Sequence, residues 1–166
     1  GIKGVALDYS YPEVREHRLA IMRELAEERN IDGLELNFIR WAKHFERDLG
    51  REKAPIMTEF VAEIRSVLTD AAEKRGVEPL ILGARVPSTI NEGLLVGCDV
   101  VAWIRHGYLD YVIPSEPNCT WPGLNVEQFA EPARGTNCEV YAQMGDMIGG
   151  GWTGKPEPED RPVGKS

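Results

Sequence analysis

The 166 residues carry 42% hydrophobic and 28% charged side chains, a balance that supports a sizeable core and excludes a disordered chain. A formal charge of −8 excludes electrostatic affinity for a nucleic-acid backbone or an anionic membrane, and leaves a neutral ligand as the easier partner. No apolar run nears the roughly 18 residues that cross a bilayer, and the opening GIKGVALDYS lacks the regions of a signal peptide, so a soluble protein is expected.

The chain opens on Gly1 and runs at once into an apolar segment, which predicts that it begins inside a larger protein. A first strand is expected at GVALDY (4–9), followed by a helix over 12–30 that starts with Pro12 and sets Val14, Ile21, Met22 and Leu25 on one side. GLELNFI (33–39) reads as the next strand, and the charged AKHFERDLGREK (42–53) as a loop. The clearest helix spans 55–76, where Phe60, Ile64, Val67, Leu68 and Ala71 share an apolar face and Gly76 supplies a left-handed cap. Strands at 80–86, 109–114 and 138–144 then alternate with short helices over 98–107 and 125–135. Residues 1–148 form one domain in this reading. The glycine- and proline-rich 149–166 reads as a flexible tail or linker.

Alternation of strand and helix predicts parallel βαβ units. Side-chain parity adds a second constraint. Leu34, Leu36 and Phe38 face opposite to Glu35 and Asn37, Leu82 and Ala84 opposite to Gly83 and Arg85, and Val140 and Ala142 opposite to Glu139, Tyr141 and Gln143; Asp8 follows the same rule. A sheet with one apolar and one polar face suits a barrel better than a doubly wound sheet, whose strands are hydrophobic on both faces. The expected fold class is therefore α/β, a (β/α) TIM-type barrel. An eight-stranded barrel takes about 250 residues, so an incomplete portion of about five βα units is expected here, with further segments of the same barrel as a partner.

In such a barrel the carboxyl ends of the strands build the site. Those positions hold Asp8, Asn37 with Arg40 and Trp41, Arg85, Ser115 with Glu116, and Gln143. Carboxylates and amides hydrogen-bond hydroxyls, and an indole covers the apolar face of a sugar ring, so carbohydrate is the favoured substrate.

Asp8, Asn37, Arg40, Trp41, Ser115 and Glu116 lie within two stretches that resemble family-ten-like glycosyl hydrolases, bacterial glycosidase-like barrels. DYSYPEVREHRLAIMRELAEERNIDGLELNFIRW is similar to the segment in which an NPEVR helix leads to a VDGI-x-x-D strand, and VVAWIRHGYLDYVIPSE to W-x-x-x-G-x-x-DY-x-x-PQ. The resemblance covers residues 8 to 117 and implies a TIM-type barrel that acts on or binds a glycan. It carries Asn37 onto the family's aspartate and Ser115 onto its glutamine. Asparagine cannot serve as nucleophile or base, so chemistry that relied on that aspartate has moved or been lost.

Glycoside cleavage needs two carboxyl groups across the bond, about 5–5.5 Å apart for retention and about 6.5–9.5 Å for inversion. Asp8, Glu35 and Glu116 are the candidates, with Glu116 the acid and Asp8 or Glu35 its partner; Asn37, Arg40, Trp41, Arg85, Ser115 and Gln143 would bind substrate. Against this stand plainer readings: Glu35 as a structural partner of Arg85, Asp8 as a helix cap, Glu116 as a solvated loop residue and Trp41 as a rim cover. The alternatives in function are a non-catalytic carbohydrate-binding barrel, and a lyase or isomerase holding a divalent metal on Asp8, Glu35 and Glu116.

His17, His44 and His106 make no metal set, and GDMIGGG (145–151) lacks the following helix and the lysine of a phosphate loop. Neither a metal nor a cofactor is expected. Cys98, Cys119 and Cys138 form no CxxC pair and are expected as free thiols.

Overall fold

A computed structural model describes residues 7–39, 42–116, 120 and 123–144. In chain order they form α1 (Pro12–Glu28), β1 (Gly33–Asn37), α2 (Gly50–Arg75), β2 (Ile81–Pro87), α3 (Ile90–Leu95), α4 (Val100–Arg105), β3 (Tyr111–Ser115), α5 (Glu127–Ala133) and β4 (Glu139–Val140). The fold is α/β. Its four strands lie side by side in sequence order, and every pair is parallel.

The parity read from the sequence decides which face is buried. Leu36, Leu82, Ala84, Val86 and Val112 join one core with Phe60, Ile64 and Leu68 of α2, Trp103 of α4 and Phe129 of α5. Glu35 and Asn37 on β1, Arg85 on β2, Tyr111 on β3 and Glu139 on β4 lie on the other face, which no described helix covers. Ile81 and Tyr141 there remain 47% and 50% exposed. Among the described residues the sheet is open, with β1 and β4 as its edges.

Arg65 of α2 joins helix to sheet. Its Nε donates to the carbonyl of Tyr108 at 2.8 Å, Nη1 to that of Leu80 at 3.0 Å, and Nη2 to the Asp110 carboxylate at 2.5 Å. Asp110 also accepts the backbone N–H of Leu82 at 2.7 Å. One guanidinium thereby ties down the segments that enter β2 and β3.

Several expectations are corrected. Residues 4–6 of the first strand fall outside the described residues, and Leu7 to Tyr9 are not strand. β4 ends at Val140, with one further ladder bond from Tyr141 N–H to Val112, so 141–144 are not strand either. α2 begins at Gly50, five residues before Pro55, which sits in its second turn at the loss of one hydrogen bond. α3 has too few residues to show a period. The apolar side of α1 is also rotated from the predicted one: Ala26, Leu19 and Met22 reach the core, while Ile21 and Leu25 stay 38% and 37% exposed. α2 lies against that side of α1, with Lys74 to Glu27 at 2.5 Å and Arg75 donating to the Ala26 carbonyl at 3.0 Å.

Gly76 caps α2 in the left-handed conformation as expected, with φ 65. Cys98 and Cys138 are free and buried; burial pushes the Cys138 thiol up to about 11, and the Cys98 thiol further in the same direction. No described helix is long and apolar enough to cross a membrane. The expected tail, 149–166, lies outside the described residues, as do Arg40, Trp41, Cys119 and GDMIGGG.

Candidate functional site

At the carboxyl end of β2 the chain turns through Ser88 and Thr89 into α3. Thr89 is the N-cap: its hydroxyl accepts the backbone N–H of Glu92 at 3.1 Å, half of a capping box. The Glu92 carboxylate does not complete that box. It turns to the buried Ser88, whose Oγ lies 2.9 Å from Glu92 Oε2 and 2.5 Å from Glu116 Oε1 at the end of β3. A serine hydroxyl carries one hydrogen and can serve only one of the two carboxylates at a time. The two oxygens can be no farther apart than the sum of those contacts, 5.4 Å.

The turn is held from α5. Gln128 Oε1 accepts the N–H of Ile90 at 2.9 Å, and its Nε2 donates to the carbonyls of Asn125 at 3.0 Å and Ser88 at 3.5 Å. Three backbone groups on two segments are thereby tied to one carboxamide.

Glu35 belongs to a different place. It sits in the middle of β1, level with Gly83 and Tyr111, and accepts Arg85 Nε at 3.0 Å and the Tyr111 hydroxyl at 3.2 Å. The tyrosine ring crosses directly over Gly83, where any Cβ would collide with it. Glu116 lies five residues beyond Tyr111, about 16 Å along a strand at roughly 3.3 Å per residue. The fold does not bring Glu35 to Glu116; it brings Glu35 to Arg85.

Asp8 accepts the backbone N–H of Ser10 at 2.8 Å, while α1 is capped by Tyr11 without a side-chain bond. Burial alone would raise the Asp8 carboxyl, but the bonds from Ser10 and the charge of Lys53 outweigh it and hold the group below its ordinary value. Asp8 is therefore kept ionised at neutral pH.

Of the remaining candidates, Asn37 is paired with Arg85 across the ladder, and its Oδ1 accepts the N–H of Ile39 at 3.1 Å. Ser115 is buried and its hydroxyl donates to the Ile113 carbonyl at 2.9 Å, which turns it away from a ligand. The Gln143 carboxamide oxygen is buried without a hydrogen bond among the described residues.

Ser88 and Glu92 are the members that sequence reading missed. The T-x-x-E pattern at 89–92, directly after a strand, was the available signal. No group of three or more potential metal ligands occurs among the described residues. A scan against protein-family models and a search of curated proteins return no match for this chain.

Proposed function

We propose that the chain is part of a (β/α) barrel of the glycoside-hydrolase type, and that Glu116 and Glu92, with Ser88 between them, form its acid/base pair. The observation that carries this reading is the Ser88 hydroxyl shared by the two side chains beyond the ends of β2 and β3, which holds one oxygen of each carboxylate within 5.4 Å of the other. A retaining pair needs carboxyl groups about 5–5.5 Å apart, and an inverting pair needs more. Glu116 is the acid. Glu92 takes the role first expected of Glu35 or Asp8, and Asp8, held ionised, lines the rim. The sheet geometry supports the barrel: strands in sequence order, all parallel, helices packed on one face and a polar set on the other.

The test is cleavage of a panel of oligosaccharides by the wild type and by Glu116→Gln and Glu92→Gln variants. Each substitution keeps the shape and removes the proton chemistry, so a loss of about 10²–10⁴-fold is expected. Turnover that survives both substitutions, or no turnover on any glycan, overturns the reading.

Asn37 favours a second reading, a barrel that binds carbohydrate without cutting it. Its amide replaces the family's carboxylate, and it is engaged with its own turn. Calorimetric affinity for a glycan that the wild type leaves intact is the result expected of that reading.

A further inference from the structure

The loop from β1 to α2 and the end of α3 enclose a cleft of about 310 Å³. Ligand sites run from about 300 to 1,000 Å³, so the cleft has room for one ring and not for a chain. Its walls are fixed. A Cβ on Gly50, the first residue of α2, would fall onto the Leu95 carbonyl, and one on Gly97 would fall onto the Phe45 ring, so these segments touch through bare backbone.

His44 is buried in the wall, edge-on to the rings of Tyr9 and Phe38, with Nε2 3.3 Å from the Phe38 carbonyl. That nitrogen faces an acceptor and carries the hydrogen, leaving Nδ1 as an acceptor itself. Phe45, Leu95 and Val96 supply apolar surface. Lys43 and Arg47 on one side of the ledger and Glu46 and Asp48 on the other cancel in formal charge. Such a lining offers donors, acceptors and an aromatic ring with no net formal charge, a combination that suits a neutral polyhydroxylated ring.

We propose that this cleft is a subsite for one neutral monosaccharide unit of a longer glycan. The placement follows from α3, whose six residues span about 9 Å at roughly 1.5 Å per residue. Glu92 is the third of those residues, and Leu95, three residues on and about 4.5 Å further along the axis, lines the cleft with Val96. A glycan held at the carboxylates thus reaches the cleft with a neighbouring unit. The ligand class rests on the function proposed above; the cleft and its lining do not.

The test uses binding, so that it can fail separately from cleavage. The full chain is titrated with the methyl pyranosides of glucose, galactose, mannose and xylose, with glucuronate as the anionic control, while the His44 ring resonances are followed by NMR. A saturable shift with at least one neutral glycoside is expected, weakened at least tenfold in Arg47→Gln and in Phe45→Ala and unchanged in Glu35→Gln. Arg47 is exposed, so its variant remains informative if the Phe45 variant fails to fold. No shift with any neutral probe, tighter binding of glucuronate, or binding indifferent to both cleft variants overturns the subsite. If His44 is silent while Glu116→Gln abolishes cleavage, the subsite falls and the hydrolase reading stands. If His44 responds and no glycan is cut, the reverse holds.

Discussion

His44 shows how far one side chain's surroundings can be turned into a prediction. Its pKa is lowered chiefly by burial, against a smaller opposing effect of the Phe38 carbonyl. A base depressed in the folded state binds its proton more readily unfolded. The stability it provides is therefore complete above its ordinary value of 6.5 and is lost as pH falls through the folded value. Chemical denaturation from pH 7.5 to 5.5 is expected to show the wild type weakening over that interval more steeply than His44→Gln. Parallel slopes would refute this. Nothing in AKHFERDLGREK betrays the burial, because the rings that bury His44, Tyr9 and Phe38, come from two other segments. The Ser88–Glu116 contact was hidden for the same reason, since 28 residues separate partners that only the β2–β3 pairing brings together.

Helices and strands of this chain were legible where a period had room to repeat. Leu82, Ala84 and Val86 alternate as expected, and the buried face of α2 holds Phe60, Ile64, Val67, Leu68 and Ala71, all five of the residues read from its spacing. Where an element is short the pattern fails, as at α3, and on α1 the side that meets α2 is not the one its spacing marks. The Arg65 clamp is a further case, because its acceptors are mostly backbone carbonyls that no sequence displays. Arg65→Ala is expected to cost about 2–3 kcal/mol, since it strips charge-assisted bonds from two carbonyls and a carboxylate. Arg65→Lys should recover only a part, because an ammonium cannot span acceptors that a planar fork reaches together. Urea unfolding of the two variants measures both. Equal stability of lysine and arginine here would show that charge alone is at work.

The larger arrangement divides the polar residues into two sets with different duties. One, at the ends of β2 and β3, holds Ser88, Glu92 and Glu116; the other, in mid-sheet, holds Glu35, Arg85 and Tyr111. The Glu35 and Arg85 side chains are both partly exposed, so their pair is expected to couple by no more than about 1 kcal/mol in a double-mutant cycle. Glu35→Gln should then leave both folding and any glycan cleavage within a few-fold of wild type, while Glu116→Gln does not. Kinetics of the two variants side by side decides the matter, and a collapse of turnover in Glu35→Gln would return that residue to the machinery.

Because each strand pairs only with its predecessor and successor in the chain, the sheet is assembled like a row of tiles laid one after another. The outer side of β1 offers no described neighbour for its amides and carbonyls, and β4, with two residues, offers little more. Another parallel strand could be added at either margin without disturbing a bond already made. Growth at such a margin by one more βα unit would continue the order already laid down, each new strand taking up amides and carbonyls that have no described partner.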